Sequence, residues 1–440
     1  MKKGITTVRE FDTITFNELY RDSEWYKFVE ERYFNELETF IMEYTADAGN
    51  ADILDFLKVS YKRNVGKIIT FKNYVGIIEL PSGYQIEILP KIDLDEETDK
   101  YSETKKIFCN MLRCLEDFDG KIFKAASLDT AKMGLYEIFI KMYIVEARRV
   151  VKHGLKSNYS SNEDNLRFYK GKLNVSQQIR LNAAHKERFY MQYDEYQLNR
   201  PENRIVKTTL LYLQKKTASE SNAREIRQLL WAFELVDVSY NIDKDFASVN
   251  LGRDTSEYTN LIAWSGVFLK NKSFTSFSGS HAGTALLFPM EKVFEDFVAI
   301  WVKRIFAEES EEMVRVSAQD KGHFLFDSPK RFRIRPDLVA KKGDTIIVLD
   351  TKWKRLKDDI SHNYGISQAD MYQMYAYAKK YDTENICLIY PLHDEVKHLS
   401  DISFTANEKD DEHIKIKVFF VDLKEYKTSL KKLYEEVAIK

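Results

Sequence analysis

Cysteine is almost missing: Cys109, Cys114 and Cys387 are the 3 in 440 residues. Three thiols cannot build a disulfide scaffold, and they fit a reducing compartment. With 8 scattered histidines, no four-ligand zinc pattern can be assembled. Only 16 glycines and 7 prolines occur, which excludes collagen-like, linker-rich and low-complexity chains. No apolar run approaches the roughly 18 residues of a membrane span. The basic start MKKGITTVREFD lacks the apolar stretch of a signal peptide. A cytoplasmic location without membrane attachment is therefore expected. Excess charge is lacking too: 67 Lys and Arg against 69 Asp and Glu leave -2. Coating nucleic acid through average charge is excluded by that balance, although local basic surfaces are not. No G-x-x-x-x-G-K-[ST] occurs, so nucleotide hydrolysis would have to belong to another chain.

What is present is an ordinary globular composition, 44% hydrophobic and 31% charged, long enough for two to four domains. Trp25, Phe28, Val29, Tyr33 and Leu37 recur at three- and four-residue steps, which predicts a mainly helical stretch over 15–60. Tyr74–Leu80 and Tyr84–Leu89, separated by Pro81-Ser82-Gly83, predict a β-hairpin with one buried face. An acidic connector is expected over 93–104. Helices are expected near 104–118, 130–152 and 202–235. The polar segment Gly154–Lys170 predicts a long loop or an exposed arm. Residues 271–284 carry the strongest linker signal and place a boundary near 275. The resulting division is an N-terminal α+β domain over 1–125, a mostly helical middle region over 126–275, and a C-terminal α/β domain over 276–440.

The chemistry concentrates in the last of these. Arg331–Val339 (RFRIRPDLV) and Thr345–Asp350 predict two strands of a hairpin around Lys341-Lys342-Gly343-Asp344. With Lys342 and Gly343 as central turn residues, Asp337 falls opposite Val348, and Asp350 lies one diagonal step further on the same face. Lys352, two residues on, faces the same way. Taken alone, D-x-K is a common solvated ion pair. Two carboxylates with a lysine beside them also suit Mg²⁺, which takes oxygen ligands and bridges to phosphate. The lysine can then orient an attacking water and stabilise developing charge.

Pro336-Asp337, a turn, the apolar run Ile346–Leu349 and then Asp350-Thr351-Lys352 together resemble the PD-(D/E)xK nuclease motif. Upstream, Phe288–Ile305 reads as a helix with Glu295 at the edge of its apolar face, where that superfamily often adds an acidic residue. Downstream, Gln373 and Tyr377 share one helix face and resemble the Q-x-x-x-Y element of RecB-like nucleases. The resemblance extends further. LLFPMEKVFEDFV, RIRPDLV, VLDTKWK and DMYQMYAYA, with IEILPKI and the central runs GLKSNYSSNEDNLRFYKGKLNVSQQIRLN and YDEYQLNRPENRIVKTTL, are similar to the McrC family. McrC proteins are the nuclease subunits of McrBC modification-dependent restriction systems.

That resemblance implies a restriction-endonuclease-like C-terminal domain with Asp337, Asp350, Lys352, Glu295, Gln373 and Tyr377 in its active site. It implies Mg²⁺ held by Asp337, Asp350, the Thr351 carbonyl and Glu295. It also implies docking on, and stimulation of, an McrB-like AAA+ GTPase ring that binds the GTP. Cleavage of double-stranded DNA carrying modified bases, by paired nuclease domains, would follow. The basic segment from Gly154 is then a candidate for insertion into the ring, with a surface loop as the alternative. A stand-alone RecB-like nuclease is the other overall reading. Residues 321–357 hold 11 Lys and Arg against 4 Asp and Glu, so the near-neutral average hides a basic nuclease face.

Overall fold

The computed structural model describes residues 4–47, 57–92, 100–115, 133–270, 284–310, 314–399, 402–407 and 413–437. The linker expected over 271–284 lies, but for Thr284, outside the described residues, as does most of the acidic connector over 93–104. The chain divides into two compact units. One combines Met1–Ile122, Leu128–Leu135 and Ser273–Lys440, and the other holds Phe123–Ser127 and Tyr136–Lys272.

The first unit contains a mixed six-stranded sheet. Its spatial order is Arg315–Ala318, Leu338–Lys342, Thr345–Thr351, Asn385–Pro391, His413–Val421, Ser403–Asn407. The three strands from Thr345–Thr351 to His413–Val421 run parallel, and antiparallel strands flank them. Parallel strands covered by helices are buried on both faces, which is why Ile347-Val348-Leu349 and Ile386–Tyr390 read as unbroken apolar runs. The helix Gln368–Tyr381 lays Met374, Tyr377, Ala378 and Tyr381 on the sheet residues Val348, Leu388 and Tyr390. Ser367 caps it, its hydroxyl accepting from the Asp370 amide at 3.1 Å.

A second sheet in the same unit orders Ile5–Arg9, Gln85–Leu89, Tyr74–Glu79, Thr284–Pro289. Its last strand runs directly into the helix Met290–Glu309. The hairpin expected at Tyr74–Leu89 is present, but Gln85–Leu89 is buried at every position rather than on one face. The charge of Glu87 is met by Lys105 at 2.8 Å, an ion pair the alternation pattern could not foresee. Among the described residues, the mainly helical reading of 15–60 holds for Glu31–Asp47 and for a short 3-10 turn at Glu18–Tyr20. Thr13–Thr15 and Lys27–Phe28 are strands, because β-branched Thr13-Ile14-Thr15 pairs with Ile68–Thr70. Trp25 is 84% exposed and has no part in the helix.

In the second unit, the segment expected to be a loop or arm forms the strand Asn158–Leu166. It pairs antiparallel with Phe189–Gln197, which in turn pairs with Lys172–Leu173. Polar on both faces, it carries no alternation to betray it. The helical stretch over 202–235 is two helices, Pro201–Lys216 and Glu220–Ala232. Buried Asn203 ties three segments: its Nδ2 donates to the Lys156 and Leu198 carbonyls, and Tyr258 OH donates to its Oδ1. Arg204 donates through Nε and Nη2 to both Asp245 oxygens at 3.1 and 2.5 Å. Burial alone would raise the Asp245 carboxyl, but the bonds and charge of Arg204 hold it below its ordinary value. A depressed carboxyl stabilises the fold above its unfolded-state pKa of about 4 and loses that contribution as pH falls through the folded value. Asp245→Asn is expected to cost about 1–3 kcal/mol at neutral pH and to flatten the acid side of the stability profile, as measured by urea unfolding between pH 3 and 7.

Candidate active site

The carboxylates meet through backbone register. Leu338 pairs with Leu349 and Lys342 with Thr345, so Gly343 and Asp344 form the turn rather than Lys342 and Gly343. Gly343 has φ +56, the conformation a tight hairpin turn demands at its first central residue. Extended by one step, that register puts Asp337 opposite Asp350 instead of Val348. The difference is two residues, and because side chains alternate with period two the face is unchanged. The upstream strand is also shorter than expected. Arg331–Val339 is interrupted at 334–337, with Lys330–Arg333 in a separate hairpin and Leu338–Lys342 in the main sheet. Phe332 sits at φ +55, a left-handed conformation that ends regular strand geometry there.

Asp337 Oδ2 accepts from the Thr351 amide and the Thr351 hydroxyl, both at 2.7 Å. Asp350, 1% exposed, contacts Lys352 Nζ at 2.6 Å. Lys352 Nζ also donates to Gln373 Oε1 at 3.3 Å and lies 3.9 Å from Asp370. Gln373 Nε2 reaches Tyr377 OH at 2.6 Å, and Tyr377 OH donates to the Arg335 carbonyl at 2.9 Å. One relay thus runs from the ammonium through Gln373 and Tyr377 to the backbone two residues before Asp337. Glu295, on the helix Met290–Glu309, accepts from Gln319 Nε2 at 2.6 Å, while the Gln319 amide donates to the Asp337 carbonyl.

Asp337, Asp350, Thr351, Lys352, Gln373 and Glu295 line one cleft of about 900 Å³, together with Lys354, Arg355 and Lys357. Tyr377 stands behind the lining, 2% exposed, and acts on the cleft through Gln373. Burial, then the neighbouring Asp350 and Glu295, push the Asp337 carboxyl up to about 7. Asp350 is also raised by burial, with Lys352 pulling the other way. Lys352 is held above its ordinary value, because contact with Asp350 outweighs the effect of its own burial. Burial and the two aspartates raise the Tyr377 phenol, which keeps it a neutral hydrogen-bond donor.

Among the described residues, no three His, Cys, Asp or Glu side chains form a ready-made metal cage. The donors still fit Mg²⁺. They are all oxygen, and Mg²⁺ keeps several waters and needs only one or two carboxylates. Carboxyls raised by burial and by neighbouring carboxylates are also the ones a cation would relieve.

Asp370 and Glu10 also line the cleft and lie outside the motif. Asp370 was within reach of spacing arguments, since it lies three residues before Gln373 on the same helix. Glu10 was not, at a separation of 343 residues from Trp353, whose indole N–H donates to both of its oxygens at 3.2 and 3.0 Å. Burial first, opposed by these bonds, raises the Glu10 carboxyl to about 7. The Trp353 ring packs 5.4 Å from that of Phe294, the neighbour of Glu295. Trp353→Phe keeps this ring and deletes the N–H that serves Glu10. It is expected to cost about 1–2 kcal/mol, read by urea unfolding, and unchanged stability would mean that water replaces the bond.

A family model described as McrBC 5-methylcytosine restriction system component matches residues 69–391. The chain belongs to the McrBC family. No curated protein matches it. Among solved structures, it is similar to a chain of a refined half-complex from the tetradecameric assembly of Thermococcus gammatolerans McrB AAA+ hexamers with bound McrC. The identity is 19% over 98% of this chain and 100% of that one, with a TM-score of 0.69. It is also similar to a chain of the Thermococcus gammatolerans McrBC complex, at 20% identity over 70% of this chain and 89% of that one, TM-score 0.51. At such identities the likeness shows a shared fold. The McrBC match spans the hairpin from Tyr74 to Leu89, the second unit and, in the cleft, Glu295, Asp337, Asp350, Lys352 and Gln373. Among the described residues, no helix of this McrBC family member is long and apolar enough to cross a membrane.

Proposed function

We propose that this chain is the DNA-cutting, McrC-type subunit of an McrBC restriction complex and hydrolyses phosphodiesters in a Mg²⁺-dependent reaction. The observation that carries the reading is the convergence of Asp337, Asp350, Lys352 and Gln373 in one cleft of a McrBC family member. Asp337, Asp350, the Thr351 carbonyl and Glu295 are the groups that would hold the cation. When bound, it acidifies water and neutralises charge at the scissile phosphate.

The chain's own residues do the rest. Lys352, kept charged by Asp350, presents its ammonium to the phosphate oxygens and stabilises the charge that develops there. Gln373 fixes the direction of that ammonium, and Tyr377 fixes Gln373 against the Arg335 carbonyl. Lys354, Arg355 and Lys357 supply phosphate contacts along the cleft wall. The fold shared with the McrB–McrC assembly supports an AAA+ GTPase ring as partner, one whose GTP hydrolysis this chain stimulates. Modified bases in the substrate fit the 5-methylcytosine description of the family.

The test is reconstitution with a cognate AAA+ GTPase. Cleavage of methylated plasmid should require this chain, the partner, GTP and Mg²⁺ together. Equal cutting by the chain and Mg²⁺ alone would replace this reading with that of a stand-alone nuclease.

A further inference from the structure

The segment just before Asp337 builds a small hairpin of its own. Phe324–Asp327 pairs antiparallel with Lys330–Arg333, outside the main sheet. Its second strand, Lys-Arg-Phe-Arg, is exposed at every position. Phe326 is 56% exposed and Phe332 72%. Their rings meet edge to face, with centroids 5.9 Å apart. The left-handed backbone at Phe332 turns its ring toward Phe326. A bulky residue rarely adopts that conformation, and such departures cluster where function requires them.

Charge identifies what this surface meets. Residues 324–335 contain Lys330, Arg331, Arg333 and Arg335 against the single acid Asp327. Lys380 of the Gln368–Tyr381 helix already engages Asp327 at 2.7 Å, which moors the hairpin to the element carrying Gln373. Two exposed aromatic rings set among cations suit a polyanion that offers flat apolar faces. An acidic protein would satisfy the cations and waste the rings. Only three residues separate Arg333 from Asp337, which tethers the hairpin within about 14 Å of that carboxylate's backbone.

We propose that the Phe324–Arg333 hairpin is a DNA wedge: Lys330, Arg331 and Arg333 hold phosphates, while Phe326 and Phe332 press into the base stack beside the scissile bond. This rests on the nuclease reading above. Aromatic and aliphatic wedges unstack base steps and bend duplexes in this way.

The test uses the full-length chain, alone and in complex with its GTPase partner, in EDTA so that no cutting occurs. Duplexes carry 2-aminopurine at successive positions, and affinity is measured from 50 to 200 mM salt. Wild type should bind with 2-aminopurine brightening over one or two adjacent positions. Lys330→Ala/Arg331→Ala/Arg333→Ala should weaken binding by about 10- to 100-fold and reduce the salt slope by roughly 2–3. Phe326→Ala/Phe332→Ala should keep the salt slope and lose the brightening. Phe332→Gly relieves the backbone, removes one ring, and guards against a misfolded double variant. Wild-type binding without brightening, no wild-type binding in either setting, or variants that behave as wild type would overturn the wedge. Variants that bind DNA normally but fail to stimulate the GTPase in a separate Mg²⁺-containing assay would assign the hairpin to a protein contact and overturn it too. Asp350→Ala in the Mg²⁺-containing complex separates the two claims: continued cutting by that variant refutes the nuclease reading, whereas its loss with normal hairpin variants refutes only the wedge.

Discussion

Lys352→Ala is expected to reduce single-turnover DNA cleavage by roughly 10³-fold, about 4 kcal/mol of barrier. Two effects combine. The ammonium 2.6 Å from Asp350 is the cation that the Gln373–Tyr377 relay aims into the cleft. It also opposes the upward pull of burial on Asp350. Without it, Asp350 should titrate higher still, so the residual activity should move to more alkaline pH. The measurement is a pH–rate profile of wild type and variant at saturating partner and GTP. An unshifted profile at a reduced rate would leave only the charge-stabilising role. Lys352→Arg should not restore full activity, because a planar guanidinium cannot occupy the point position between Asp350 and Gln373.

Gly76→Ala is expected to abolish stable folding of the first unit, or to cost more than about 3 kcal/mol. Gly76 lies in the strand Tyr74–Glu79, paired with Leu287 of Thr284–Pro289. Its φ is +145, and a Cβ there would lie 1.9 Å from the Leu286 carbonyl oxygen. No rotamer relieves that contact, because the obstacle is backbone. The two strands would have to part, and the helix bearing Glu295 follows the second of them directly. Soluble yield and urea unfolding read the outcome, and a variant as stable as wild type would mean that the sheet accommodates a bulge at this point. The substitution separates architecture from chemistry, since Gly76 is not among the residues lining the cleft.

Legibility in the sequence followed periodicity. Asp350 and Lys352 end an apolar run that could only be a buried strand, and Gln373 and Tyr377 recur at helical spacing, so their meeting was readable. Asp337 was placed on the correct face through a turn offset that proved wrong, a result owed to the two-residue period and not to the turn. What stayed hidden had no period. Asn158–Leu166 contains an unbroken polar run from Ser160 to Asn165, and its pairing with Phe189–Gln197 is a tertiary fact. Glu10 joins the cleft wall through hydrogen bonds from Trp353, across most of the chain, and from the Lys91 amide. The short strand Lys27–Phe28 falls inside the helical reading of 15–60 because Trp25 and Phe28 happen to fall in phase with Val29, Tyr33 and Leu37, and Thr13–Thr15 is too short to signal itself.

The most direct measurement is Asp350→Ala in the reconstituted complex, with DNA cleavage and GTP hydrolysis followed in the same reaction. The expected result is loss of double-strand breaks in methylated DNA with GTPase stimulation preserved. Breaks at the wild-type rate would contradict the assignment of the cleft as the cutting site.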